Sequence, residues 1–243
     1  MTAPIPSCET PQQLTTLKRP LPKFAEALRQ QRTVNIVAIG SSSTEGEGSS
    51  DKATLSYPAR LKVHLGDRFP GISFNVSNAG VGGQEAPDEA ARFRTDVLAK
   101  DPALIIWQVG TNAAWKNYFL DDVQIAILHG LTRLAGSPAD AILMNPQYAP
   151  AMLSKATLPA TELMLRLIDD AAETIGANVF DRFAIMKYWN TTRGIPFDQM
   201  ISNADGNMLH QNVWSYNCIA SALADAIAGA ATGGSAAAQS GLG

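Results

Sequence analysis

The chain has 243 residues, 46% of them hydrophobic, and a formal net charge of −3. That length supports one well-buried domain and is short for two. Its basic residues are scattered, so no nucleic-acid surface is expected, and no apolar run approaches the ~20 residues that span a bilayer.

The start of the chain, Met1 to Cys8, lacks the basic flank and apolar core of a signal peptide. Two locations stay open: cytoplasmic, or periplasmic or secreted after removal of a leader. Cys8 and Cys218 are too few for a disulfide scaffold and have no zinc-type spacing. They are read either as two ordinary thiols or as one disulfide pinning the N-terminus to the last helix. The second reading implies an oxidising compartment.

Residues 1–30, rich in Pro, Gln and Thr, are expected to wrap the surface. Apolar β-branched runs then predict strands at 34–39, 72–76, 104–109, 141–144 and 178–180. Amphipathic stretches between them predict helices at 56–69, 87–100, 122–135 and 159–175, with a last helix at 213–227. Continuous apolar strands alternating with helices predict a parallel sheet covered on both faces, a three-layer α/β/α sandwich. The expected domain is 31–228. The Ala-, Gly- and Ser-rich stretch 229–243 is expected to lack fixed structure.

In such a sheet, function collects where strands end. The first strand ends in Gly40-Ser41-Ser42-Ser43-Thr44-Glu45-Gly46. A serine at a strand-to-helix turn exposes its hydroxyl and aims backbone N–H groups at developing negative charge. Ser42 is therefore the candidate nucleophile; a helix cap or phosphate loop is the rival reading. No Lys follows at the spacing of a Walker loop. After the second strand, Asn78-Ala79-Gly80 offers the Gly80 N–H, and after the third, Gly110-Thr111-Asn112 offers the Asn112 side-chain amide. A tight glycine turn and a helix cap are the plainer readings of these two.

The chain has three histidines. His64 and His129 fall within predicted helices and are read as helix-face residues. His210 follows a polar loop just before the last helix, where an imidazole could reach the sheet edge as a general base. Asp205 is the nearest carboxylate that could hold its far nitrogen. Gln147 and Tyr148, after the fourth strand, are the candidate substrate wall. Trp107, Trp115, Tyr118, Tyr188 and Trp189 could stack on sugar rings, although core packing is the plainer expectation for most of them.

Taken in order, these four blocks resemble the SGNH (GDSL-type) hydrolase superfamily, whose naming Ser, Gly, Asn and His fall on Ser42, Gly80, Asn112 and His210. The resemblance covers most of the chain. It implies a flavodoxin-like five-stranded sheet of order 2-1-3-4-5 and ester hydrolysis through an acyl-enzyme, without metal or cofactor. It further implies an oxyanion hole of the Ser42 N–H, the Gly80 N–H and the Asn112 side chain. Ser41 and Ala113 stand where the family usually has Asp. The family's triad Asp lies three residues before the His, where this chain has Asn207; Asp205 lies five before it. Asp205 is favoured for the orienting role, with Asn207 or a backbone carbonyl as the other choice. The expected substrate is a small-molecule or saccharide ester with a short acyl group such as acetyl. An O-acyltransferase using the same residues, or a non-catalytic carbohydrate-binding protein on the same fold, are the rival functions. Oligomeric state leaves no trace in the sequence.

Overall fold

The computed structural model describes the backbone of residues 5–204 and 206–239, and side chains as far as residue 233. Five parallel strands form one sheet: β1 (Thr33–Gly40), β2 (Ser73–Gly80), β3 (Leu104–Gln108), β4 (Asp140–Met144) and β5 (Asn178–Phe180). Their spatial order is β2-β1-β3-β4-β5, as expected from the resemblance. Central β3 is buried along its whole length, and it reads as an apolar run up to its last residue, Gln108.

Eleven α-helices are described: α1 (Pro22–Gln30), α2 (Ser42–Glu45), α3 (Lys52–Leu55), α4 (Tyr57–Arg68), α5 (Ala86–Ala91), α6 (Thr111–Trp115), α7 (Leu120–Ala135), α8 (Pro150–Leu153), α9 (Leu158–Ile175), α10 (Arg182–Thr191) and α11 (Val213–Gln239). Helices α1, α4 and α11 pack together on one face of the sheet, and α5, α7 and α9 on the other. This is the expected three-layer sandwich. Each fully buried aliphatic or aromatic side chain contributes about 1.5–3 kcal/mol relative to exposure. Val34, Ile36, Leu104, Ile106, Ile142 and Leu223 are all inaccessible to solvent.

Four expectations need correction. The second strand does not end at residue 76 but runs to Gly80, paired with β1 from Thr33↔Ser73 to Gly40↔Gly80. It is an edge strand, so its last residues stay half-exposed and carry no apolar signal. The expected helix 87–100 breaks after Ala91 into a wide turn at Phe93–Val97 and a tight one at Leu98–Lys100. There Arg92 folds back, its guanidinium donating to the Ala79 and Gly40 carbonyls at the end of the sheet. Helices α1 and α10 have no counterpart in the sequence reading. The last helix continues past residue 227 to Gln239, through a stretch whose alanines have the highest intrinsic helix propensity.

Within residues 1–30, expected to wrap the surface, Leu21 and Phe24 are instead buried in the core, and the part before α1 is tied to the domain by hydrogen bonds. Arg19 and Asn178 exchange two hydrogen bonds, and the indole N–H groups of Trp189 and Trp214 donate to the Glu9 and Pro6 carbonyls. Cys8 and Cys218 form a disulfide, tying this segment to α11.

Candidate active site

Ser42 opens α2 directly after β1, with Ser41 as the turn between them. Ser41 is buried, and both its N–H and its hydroxyl donate to Gln108 Oε1 at 3.2 Å. Thr44 donates to the same oxygen, also at 3.2 Å. The turn is thus locked onto the end of β3, while the Ser42 side chain stays half-exposed. Being at the start of a helix, the Ser42 N–H has no acceptor among the described residues.

His210, 168 positions along the chain, brings Nε2 to 2.9 Å from Ser42 Oγ. It is 8% exposed, so the imidazole is enclosed but still reachable. For Nε2 to accept the serine proton, Nδ1 must carry the ring hydrogen. The loop before His210 is held on both sides: the His210 carbonyl accepts from Ser202 N–H, the Leu209 carbonyl from Gln147 Nε2 and the Met208 carbonyl from Ala151 N–H. Met208 has φ +50°, a conformation that costs a non-glycine residue about 1–2 kcal/mol. Strain of this kind is tolerated where the surroundings over-determine the backbone. Asp205 lies outside the described residues, and Asn207 is exposed on the same loop.

Asn112 is the second residue of α6, and 3% exposed. Its Nδ2 donates to the Gln84 carbonyl at 2.8 Å, which leaves the second amide hydrogen for another acceptor. Gly80 does not join it. Its N–H already donates to Asn78 Oδ1 at 2.9 Å. A Cβ at Gly80 would lie 2.1 Å from the Glu45 backbone nitrogen, so this glycine serves the close approach of α2 to β2. Three residues on, Gly83 has φ +84°, is exposed, and has an N–H with no acceptor among the described residues. A Cβ at neighbouring Gly82 would sit 3.9 Å from Ser42 Cβ, so this loop runs beside the serine. Glu45 fixes the loop by accepting from Gly82 N–H at 3.0 Å.

Gln147 does not face a substrate. It is fully buried, and its Oε1 accepts from Ser43, Thr111 and Arg182. Arg182, which the sequence reading missed, is also fully buried. It donates to the Asn145 carbonyl, Gln147 Oε1 and Gln211 Oε1, and burial pushes its pKa down to about 10. Gln108, Thr111, Gln147, Arg182 and Gln211 thus form a hydrogen-bonded layer beneath Ser42 and His210. It holds the residues on either side of both. The only hint of Arg182 in the sequence is Asp181, whose side chain caps α10 by accepting from Ala184 N–H.

Tyr148 is half-buried, packed at 5.1 Å against Phe183 and stacked at 5.6 Å on Phe197. Trp107 and Trp189 are core residues with no exposure, whereas Tyr118 stays 41% exposed. Trp115 and Tyr188 are half-buried. Helix-face roles suit the other histidines: His64 bonds Asn217 on α11, and His129 lies within α7. Among the described residues no cluster of three or more His, Cys, Asp or Glu could hold a metal ion.

Comparison with known proteins places this geometry in context. The sequence profile described as "Non-GDSL lipase-like family" matches residues 7–233. An acetylxylan esterase of Geobacillus stearothermophilus is 27% identical over 124 residues, 47% of this chain and 57% of that protein. The chain thus spans under two thirds of that curated relative's length. The crystal structure of an acetylxylan esterase from the same organism superposes with a TM-score of 0.64 at 21% identity, covering 80% of this chain and 94% of the other. A two-domain esterase active on acetylated mannans gives 0.70 at 17% identity, covering 90% and 56%. At such identities the structural likeness speaks for the fold alone.

Proposed function

Because the chain belongs to the Non-GDSL lipase-like family, we propose that it is a serine ester hydrolase with Ser42 as nucleophile and His210 as general base. The observation that carries this reading is the 2.9 Å contact between His210 Nε2 and Ser42 Oγ. Nucleophile and base lie within the hydrogen-bond reach that proton transfer requires.

In this reading, Ser42 Oγ attacks the ester carbonyl carbon while Nε2 takes its proton. The carbonyl oxygen becomes an oxyanion, stabilised by the N–H groups of Ser42 and Gly83 and by the free amide hydrogen of Asn112. Preorganised donors of this kind each contribute about 2.7–4 kcal/mol to the barrier reduction. Gly83 replaces Gly80 in this assignment because the Gly80 N–H is already committed to Asn78. The imidazolium then protonates the leaving alcohol, giving an acyl-enzyme at Ser42. Water, deprotonated by the same imidazole, releases the acid and restores the serine. Asp205 is assigned the role of orienting His210 through Nδ1.

Short acyl esters of saccharides are the proposed substrates. The support is that an acetylxylan esterase and an esterase active on acetylated mannans are among the similar proteins. The Cys8–Cys218 disulfide supports an oxidising, extracytoplasmic location. A fluorophosphonate probe followed by peptide mass spectrometry tests the nucleophile: modification at Ser42 is expected, and a protein left unlabelled would contradict the proposal. Hydrolysis of p-nitrophenyl esters should fall as the acyl chain lengthens beyond a few carbons.

A further inference from the structure

Asn112 can act as an oxyanion donor only if the start of α6 is held still, and α6 has no means of its own to do this. Its N-cap is Gly110, which has no side chain, and its first turn contains no acidic residue. The first N–H groups of a helix need acceptors from elsewhere. They find one in Glu85, the N-cap of α5, which is 2% exposed. Glu85 Oε1 accepts from Gly110 N–H and Oε2 from Ala113 N–H, each at 2.8 Å. The carboxylate therefore spans the first turn of α6 on both sides of Asn112.

The residue before Glu85 completes the clamp. The Gln84 carbonyl takes one amide hydrogen of Asn112, and Gly83 precedes it. Both candidate oxyanion donors outside α2 are thus referred to one short segment, 83–85. That segment is pinned in turn: Glu85 N–H donates to Asp88, and Glu85 Oε1 also accepts from Ala86 N–H.

A buried carboxylate is a costly way to cap a short helix, since a serine or aspartate within the chain's own turn would do the same. One turn along α5, Glu89 is also fully buried, with Oε2 accepting from Trp107 Nε1 and Oε1 without a partner among the described residues. Burial raises both carboxyls, and the Glu85 charge raises Glu89 further, whereas backbone N–H groups favour the ionised form of Glu85. Of the two, Glu85 is the carboxyl whose ionised form is favoured by hydrogen bonds, those from the first turn of α6 among them.

We infer that Glu85 is a positioning residue of the oxyanion hole, fixing Asn112 by bridging the Gly110 and Ala113 N–H groups. The inference rests on the proposed esterase reading and deepens it. Its test is a double-mutant cycle on p-nitrophenyl acetate with wild type, Glu85→Gln, Asn112→Ala and the double variant. Gln keeps the size but turns an NH₂ toward an N–H donor. The expected result is a kcat lowered roughly 10- to 100-fold by Glu85→Gln with KM within about twofold. In the Asn112→Ala background the same change should cost under about twofold, because the group that Glu85 positions is already gone. Equal losses in both backgrounds, or no loss in either, overturn the inference while the esterase reading stands. A wild type without hydrolytic activity overturns both. Should Glu85→Gln fail to fold, the wild type phosphonylated at Ser42 carries the test by NMR. Gly110 and Ala113 backbone amide resonances should then shift together with the Asn112 side-chain amide; amides that stay in place overturn it.

Discussion

At the scale of single residues, the site turns on which polar groups are already spent. Gly80, Gly82 and Gly83 look alike in sequence, and the motif order pointed to Gly80. Asn78 takes the Gly80 N–H, whereas that of Gly83 has no acceptor among the described residues. The bond has the i to i+2 spacing of an Asx turn, a local signal that the sequence reading did not use. The two glycines should therefore fail differently. Gly80→Ala drives a Cβ into the α2 backbone and should cost about 3 kcal/mol of stability, read by urea unfolding. Gly83→Ala, whose Cβ would meet nothing nearer than Lys116 Nζ at 3.8 Å, strains a positive φ by about 1–2 kcal/mol. It should instead lower turnover roughly tenfold by shifting the N–H. Loss of turnover with intact folding in Gly80→Ala would reverse the assignment. For the imidazole, Asp205→Ala should reduce kcat far more than Asn207→Ala, by up to ~10⁴-fold if it matches the aspartate of a serine-protease triad. The opposite ranking would move the orienting role to Asn207.

Elements were legible where periodicity spoke and not where side chains reorganised the backbone. Strands β1, β3, β4 and β5, the start of β2, and the helices that became α4, α7, α9 and the first half of α11 carry clean apolar patterns. Helix α10 was missed, although its cap and its buried Ile185, Met186 and Trp189 follow a helical spacing. It follows the three-residue β5 so closely that no turn signal separates the two. Gln147 was read as a substrate contact because it follows a strand end. Its true neighbours, Arg182 and Thr111, come from elements 35 and 36 positions away. The buried pair on α5 gives a pH signature at this scale. Glu89 ionises at a higher pH in the folded chain than in the unfolded one, where a glutamate titrates near about 4.3. Below that value both states are protonated and the pair contributes no pH dependence. As pH rises past it, the unfolded chain loses the proton first, so stability declines until the folded-state carboxyl also titrates. Glu89→Gln cannot ionise and should flatten this decline in urea unfolding measured from pH 4 upward. An unchanged slope would place the proton elsewhere.

For the whole molecule, the three layers were legible in the alternation of apolar strands with helices, and the sheet order in the family resemblance carried by four short blocks. What the sequence left open was the long-range tie, because two cysteines 210 positions apart carry no pattern. Closing so long a loop contributes about 5 kcal/mol in the chain-entropy model. Cys8→Ser with Cys218→Ser should therefore lower the unfolding free energy by several kcal/mol, read as a lower urea midpoint, without altering turnover. Coincident curves would show that the N-terminal wrap holds without the bond. The proposed esterase activity is tested most directly by the hydrolysis of p-nitrophenyl acetate under saturating substrate, wild type beside Ser42→Ala. Removal of the serine hydroxyl should lower kcat by roughly 10³-fold or more while the unfolding curve stays in place. Turnover that survives Ser42→Ala would contradict the central claim that this hydroxyl, activated by His210, is the nucleophile.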